Sequence, residues 1–172
     1  MITLVLGGEK SGKSDFALEL LLAAPAPRLF VATGKALDPA FREQIRRHRQ
    51  ERPADIPVAE AGADLAGVLA AARGRRGSVL VDSLDFWLFA CRQAPGGRDH
   101  VQEFLACLDS WDACTVILVS AEIGLGPIAA SAETRAFVRA LGELNRAVAR
   151  RAGTAWLVAA GLPLQLKQAR GP

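Results

Sequence analysis

Cysteine is scarce in this chain: three in 172 residues, at Cys91, Cys107 and Cys114, with no CxxC pair among them. Three thiols cannot all pair with one another, so they read as reduced thiols in a reducing compartment. A large charge of one sign is missing too. The 21 Lys and Arg against 18 Asp and Glu leave a net charge of +3, too small for nucleic acid to bind along a whole face. Long hydrophobic runs are also absent. The longest uncharged stretch, residues 152–166, falls short of the ~20 apolar residues a spanning helix needs, and it contains glycine and proline. No basic leader with an apolar core precedes the first apolar run. These absences lead to the expectation of a soluble, cytoplasmic protein with no membrane span and no nucleic-acid partner.

What is present is enough for one well-packed domain, expected over 1–172, since 51% of the residues are hydrophobic. Five short apolar runs recur: "ITLVL" (2–6), "RLFVAT" (28–33), "SVLVD" (78–82), "CTVILVS" (114–120) and "AWLVAA" (155–160). Nearly continuous apolar runs of this length suit parallel strands covered on both faces. Helical patterns fall between them, at 14–24, 39–52, 63–73, 99–110 and 132–151. Alternating strands and helices predict an α/β fold, a doubly wound and mainly parallel sheet with helices on both faces.

The first strand runs into "GGEKSGKS" (7–14) and a helix follows, so Gly7, Gly12, Lys13 and Ser14 satisfy G-x-x-x-x-G-K-[ST]. Glycines let the backbone curl until several N–H groups face one concavity, and the helix start adds its positive end. Lys13 can then reach the β- and γ-phosphates, and the Ser14 hydroxyl can ligate Mg²⁺. An ordinary glycine-rich turn could share the pattern, but the flanking strand and helix favour a nucleoside triphosphate. The fold class is therefore P-loop NTPase-like (RecA-like). A metal-holding acid is expected at the carboxyl end of another strand, where open α/β sheets keep their sites. Asp82, after "SVLV", is the leading candidate. Asp85 is the rival, equally readable as a carboxylate capping the next helix.

"DPAFREQIRRHRQERP" (38–53) carries five arginines and His48. Asp38 and Pro39 read as cap and first helical residue, and Pro53 ends the helix. His48 shares a helical face with Phe41, Ile45 and Arg52. Two readings stay open on these residues alone. One is a solvated basic helix with a packed histidine. The other is a phosphate-facing helix with His48 as nucleophile and arginines that stabilise charge on the transferred group.

The chain resembles the bifunctional adenosylcobinamide kinase/adenosylcobinamide-phosphate guanylyltransferase family of cobalamin biosynthesis. The pieces that carry the likeness are "GGEKSGKS" (7–14), "FVATG" (30–34), "IRRHRQERP" (45–53), "VLVDSLDFWL" (79–88), "VSAEIGLG" (119–126), "LGELNRAVA" (141–149) and "WLVAAGLPLQLK" (156–167). They come in the family order over nearly the whole chain. The resemblance implies two steps: phosphorylation of the aminopropanol hydroxyl of adenosylcobinamide by ATP or GTP, then transfer of GMP from GTP to that phosphate. It implies that His48 carries the GMP covalently, with Lys13 as the other catalytic residue. The nucleotide contacts it implies are Gly7, Gly8, Glu9, Lys10, Ser11, Gly12, Lys13, Ser14 and Asp15, then Ala32, Thr33 and Gly34. Arg49, Gln50, Glu51, Arg52, Glu60 and Asp82 complete them; Ser14 and Asp82 would hold Mg²⁺. Glu60 also reads as an ordinary surface acid, and His100, the second histidine, matches no family motif and is expected in a turn beside Gly97. A corrinoid substrate and a homotrimer are implied as well. The chain departs from the family pattern at Ala121 (Asn in the family's Asn-Glu-Val-Gly), at "IAAS" (128–131), within Arg135–Arg139, and at Arg146 after Asn145. These departures bear on the acceptor side rather than on the phosphate loop or the histidine helix. They leave open a simple kinase with a structural histidine, or a GTP-binding protein without catalysis.

Overall fold

The protein is seen as a computed structural model, which describes residues 1–33, 55–112 and 114–168. In chain order these form β1 (Ile2–Gly7), α1 (Lys13–Ala23), β2 (Arg28–Ala32), β3 (Val58–Glu60), α2 (Leu65–Ala72), β4 (Ser78–Asp82), α3 (Leu84–Gln93), α4 (His100–Asp109), β5 (Thr115–Ala121), α5 (Ala132–Arg151), β6 (Thr154–Ala159) and β7 (Leu162–Lys167). The strands make one sheet in the order β3-β2-β4-β5-β1-β6-β7. All neighbours are parallel except β7, which returns antiparallel to β6. The doubly wound α/β expectation holds.

Both faces of the central strands are buried, which is why their sequences are apolar throughout rather than alternating. On one face Ala17 and Leu21 of α1 pack onto Val5, Phe30, Leu80, Ile117, Val119 and Val158. On the other, α2 to α5 bring Leu65, Leu69, Leu84, Trp87, Phe104, Leu141 and Val148 onto Leu4, Leu6, Val31, Val79, Val81, Val116 and Leu118. Each such side chain contributes about 1.5–3 kcal/mol when fully buried. Trp87, fully enclosed, packs on Phe104 with ring centres 4.8 Å apart and donates its indole N–H to the Ala63 carbonyl at 2.9 Å.

Three elements were not expected from the sequence. β3 is three residues long and mostly exposed, too short to stand out as a pattern. α3 follows β4 at once, so "SVLVDSLDFWLFA" is one apolar run in which periodicity cannot separate strand from helix. β7 is exposed along its whole length and contains Pro163, as an edge strand tolerates. Its turn puts Ala160 and Gly161 at φ 51° and 78°, so Ala160 stands where Asn or Asp would have announced a tight hairpin. His100 also moves. It opens α4, whose cap Asp99 accepts from the Gln102 N–H at 3.0 Å, rather than lying in a turn. The helix expected over 39–52, and with it Gly34, His48, Arg49, Gln50, Glu51 and Arg52, lies outside the described residues.

Candidate nucleotide site

The turn between β1 and α1 is shaped by the residues that permit it. Lys10 and Gly12 take positive φ, 52° and 90°, and the Ser11 N–H turns back onto the Gly8 carbonyl at 3.3 Å. Gly7 is required for a different reason. A Cβ there would lie 2.3 Å from Ser11 Oγ and 2.8 Å from the Val158 carbonyl oxygen. The loop is thus folded tightly against the end of β6. A second support comes from the hairpin turn, where the Gly161 N–H donates to the Ser11 carbonyl at 2.9 Å. Gly12 is the N-cap of α1, so the first amides of that helix open beside the loop and carry its positive end. Lys13 lies over the loop, donating from Nζ to the Gly8 carbonyl at 3.1 Å. Ser14 is half-buried in the first turn, while Glu9, Lys10 and Asp15 are exposed. Ser11 Oγ is buried without a hydrogen-bond partner.

A concave run of backbone donors with one ammonium folded into it is an anion site. The strand order places the other candidates around it. Asp82 ends β4, two strands from β1 with β5 between them. Its strand alternates: Val79 and Val81 belong to the cluster under α2–α5, and Leu80 to the cluster under α1. Asp82 therefore leaves the sheet on the α1 face, the face that carries Ser14. Ala32 and Asp82 share one rung, and Ala32 shares the next with Glu60 on β3, so these three line up across the same edge.

Thr33 is spent on the scaffold. Its hydroxyl donates to the Ser83 carbonyl at 2.6 Å and accepts from the Ser83 N–H at 2.7 Å, while its own N–H donates to the Asp82 carbonyl at 3.2 Å. These bonds fix the end of β4 where Asp82 emerges. Asp85 is not the cap of α3. It is the second residue of that helix, with Oδ1 buried and unpaired, and the cap position is Ser83. Beside these bonds opens a cleft of about 240 Å³ lined by Thr33, Ala63, Phe86, Phe89, Ala90 and Pro95. Burial disfavours the thiolate at all three cysteines. Burial pushes Cys91 up to about 12, and raises Cys107 and Cys114 as well, so none is set up as a nucleophile.

With this geometry in hand, residues 3–166 match the family described as cobinamide kinase / cobinamide phosphate guanyltransferase. The chain belongs to that family. It is accordingly a transferase with kinase and nucleotidyltransferase relatives. The bifunctional adenosylcobalamin biosynthesis protein CobP of Pseudomonas aeruginosa is 33% identical over 170 residues, covering 97% of this chain and 98% of the relative. The CobU protein of Salmonella typhimurium, also named as bifunctional, is 28% identical over 97% of this chain and 100% of its own length. The fold is shared more widely. The flagellar accessory protein FlaH of Methanocaldococcus jannaschii superposes with a TM-score of 0.55 at 13% identity, over 97% of this chain and 78% of that one. An ATPase of a type III secretion system does so with the same score and identity, over 95% and 56%. The P-loop ATPase architecture expected from the glycine loop is therefore present.

Three residues, two of them named above only within quoted motifs, brace the edge of β5 beside the loop. Asn145 of α5 is 5% exposed; its Nδ2 donates to the Ala121 carbonyl at 3.0 Å, and its Oδ1 accepts from Ser120 Oγ at 2.6 Å. Glu122, one residue beyond β5, donates its N–H to the Gly7 carbonyl at 3.0 Å. No spacing in the sequence announces these pairs, since 120 and 145 meet only once α5 has packed. Arg146, one of the departures from the family pattern, is exposed and stands outside this network.

Proposed function

We propose that the chain carries out both reactions in the family's name. It phosphorylates the aminopropanol hydroxyl of adenosylcobinamide with ATP or GTP, then transfers GMP from GTP to that phosphate through His48, giving adenosylcobinamide-GDP. The observation that carries this reading is the phosphate cradle from Gly7 to Ser14, within a family match that spans nearly the whole chain. In the first step the loop amides and Lys13 hold the triphosphate, and the acceptor oxygen displaces the nucleoside diphosphate from the γ-phosphorus. In the second, a neutral His48 nitrogen forms a bond to the α-phosphorus of GTP as the bond to pyrophosphate breaks. The corrinoid phosphate then takes the GMP and frees His48. Arg49, Gln50, Glu51, Arg52, Glu60, Ala32, Thr33 and Gly34 are assigned to the nucleotide as the family pattern implies, Thr33 through its carbonyl because its hydroxyl and N–H are engaged at Ser83 and Asp82.

Magnesium fits this donor set. Ser14 and Asp82 offer two oxygens on one face of the sheet, and an ion that keeps several waters and phosphate oxygens asks for no more protein ligands. Bound there, magnesium would neutralise charge on the phosphate oxygens. No helix among the described residues is long and apolar enough to cross a membrane. We assign the chain to one domain, to the cytoplasm and to a homotrimer on the family pattern.

The test is incubation with GTP labelled at the α-phosphorus, magnesium and adenosylcobinamide. Acid-labile, base-stable label on the protein and a corrinoid-GDP product are expected, and His48→Asn should abolish both while leaving the phosphorylated corrinoid. Phosphorylation with no label on the wild-type protein would assign a simple kinase instead.

A further inference from the structure

Phosphorylating a hydroxyl releases its proton, and no residue has yet been given the role of taking it. Lys13 and the loop amides are donors, and Asp82 is committed to the metal. We propose that Glu122 is the general base of the kinase step, an assignment that rests on the function proposed above.

The case begins with position. β1, which ends in the phosphate loop, has two neighbours in the sheet, β5 and β6. β6, "TAWLVA", carries no acid, whereas the first residue after β5 is Glu122. Gly7 and Ala121 are paired in register, so Glu122 stands one residue beyond the rung at which β1 becomes the loop. The third carboxylate of this edge, Asp82, is lower. Val81 pairs with Leu118, which sets Asp82 level with Val119, two rungs short of Ala121 and nearer the foot of the site. Asp82 and Glu122 thus stand at different depths at the ends of neighbouring strands on one side of β1, a spacing that suits one to a metal and the other to an acceptor.

Rigidity is the second argument. Glu122 is tied to the loop by its own N–H on the Gly7 carbonyl. The two residues before it are tied to α5 by the buried Asn145, which takes the Ser120 hydroxyl and the Ala121 carbonyl. Its carboxylate is oriented as well, since Oε1 accepts from the Gly124 N–H at 2.9 Å. The side chain is half-buried, and no Lys or Arg forms an ion pair with it among the described residues. A carboxylate on an anchored backbone, oriented by one hydrogen bond, uncommitted to a cation and with one oxygen left over is what a proton acceptor needs. In the step proposed, the substrate hydroxyl oxygen bonds to the γ-phosphorus, the bond from that phosphorus to the nucleoside diphosphate breaks, and the hydroxyl proton passes to Glu122 and then to solvent.

The experiment separates the two half-reactions in Glu122→Gln and Glu122→Asp, each beside the wild-type protein. For Glu122→Gln, kcat for phosphorylating adenosylcobinamide should fall by about 100-fold or more, the usual contribution of a general base. KM for nucleotide and label transfer from α-labelled GTP to the protein should stay within about threefold, because that reaction deprotonates no alcohol. Glu122→Asp, which keeps the charge but withdraws it by one methylene, should fall between the two. It also carries the test if the Gln variant does not fold. A Gln variant with wild-type kcat overturns the assignment, and so does an equal loss in kinase and self-guanylylation, which would mark a structural role. Recovery of the lost rate by added magnesium would make Glu122 a metal ligand and overturn it too. If the wild-type protein phosphorylates no adenosylcobinamide, the functional reading fails and takes this one with it.

Discussion

Replacing Gly7 by alanine adds one methyl at the tightest point of the phosphate loop, and the consequence can be worked from its surroundings. The new Cβ would meet Ser11 Oγ at 2.3 Å, the Val158 carbonyl oxygen at 2.8 Å and Lys13 Cβ at 3.3 Å. The first contact is with the end of a rotatable side chain, and a Ser11 rotamer change relieves it. The second is with backbone in the middle of the sheet, where Val158 also pairs with Gly7 and with Pro163, so it cannot yield without moving β6 or the loop. Overpacking of this kind costs about 1–3 kcal/mol. For a chain of this length that corresponds to a fall in Tm of roughly 2–12 °C. Gly8→Ala is the control. Its Cβ would meet nothing within 4 Å and its φ is not positive, so its stability should stay within about 0.5 kcal/mol of wild type.

The assay is thermal unfolding of both variants and of the double variant Gly7→Ala/Ser11→Ala, with GTP affinity measured by calorimetry on each. Removing the Ser11 hydroxyl takes away the first clash and an unpaired buried oxygen together, yet leaves the Val158 contact in place. The double variant should therefore recover only part of the loss. Because the loop must move to admit the methyl, Gly7→Ala should also weaken GTP binding by about tenfold or more. A Gly7→Ala protein that melts and binds as wild type does would refute the reasoning. Full rescue by Ser11→Ala would show that the backbone contact decides nothing.

Lys13→Ala should lose GTP binding in the same titration while its Tm falls by no more than about 2–4 °C, because Lys13 makes one hydrogen bond within the loop and such a bond contributes about 1 kcal/mol. Asp82→Asn should raise the magnesium concentration needed for half-maximal transfer more than it raises the Kd for nucleotide; an unchanged magnesium curve would pass the role to Asp85 or Glu60. Asn145→Leu should cost about 2–4 kcal/mol, since it leaves the Ser120 hydroxyl and the Ala121 carbonyl buried without their partner; equilibrium unfolding in urea checks it. With its pKa pushed up to about 12, Cys91 should be nearly all thiol at pH 8 and should react with a disulfide reagent only slowly until the protein unfolds. Unfolding lets that thiol ionise near pH 9, so this group's contribution to stability should decline as the pH rises from there towards 12.

The parts of the fold legible in the sequence were those where one physical demand acts on consecutive residues. β1, β2, β4 and β5 are buried on both faces over most of their length and β6 over part of its own, so most positions had to be apolar and the runs stood out. The phosphate loop was legible because phosphate binding by backbone amides restricts residue type at fixed spacing: glycine where Gly12 takes φ 90°, and lysine immediately after it. What escaped notice depends on neighbours distant in the chain. α3 is hidden because Trp87, Leu84 and Leu88 satisfy the same burial as the strand before them, and only the break at Ser83 separates the two. The hairpin turn that braces Ser11 was masked by Ala160 in a conformation usually left to Asn or Gly. Thr33 reads as part of "FVATG", yet its hydroxyl is used fifty residues on, at Ser83.

The departures from the family pattern can be weighed in the same terms. Losing an amide side chain at Ala121 leaves its carbonyl held by Asn145 and the following N–H held by the Gly7 carbonyl. The position is buried and small, so the edge of β5 keeps its place without the amide. "IAAS" (128–131) begins with Ile128, 89% exposed, and ends with Ser131, which caps α5 by accepting from the Thr134 N–H at 3.0 Å. Arg135 holds the same segment from the helix side, donating to the carbonyls of Ala129 and Ala130 at 2.9 and 2.7 Å. The altered segment is therefore anchored at its end but presents new apolar surface at Ile128, which follows the exposed Leu125, at the carboxyl side of the sheet. A change that keeps the anchor and alters only what faces outward acts on what is bound there and leaves the frame alone. Corrinoid selection should thus respond to substitutions at Leu125 and Ile128 while the Kd for GTP does not, and a parallel fall in both would mean that this segment also supports the phosphate loop.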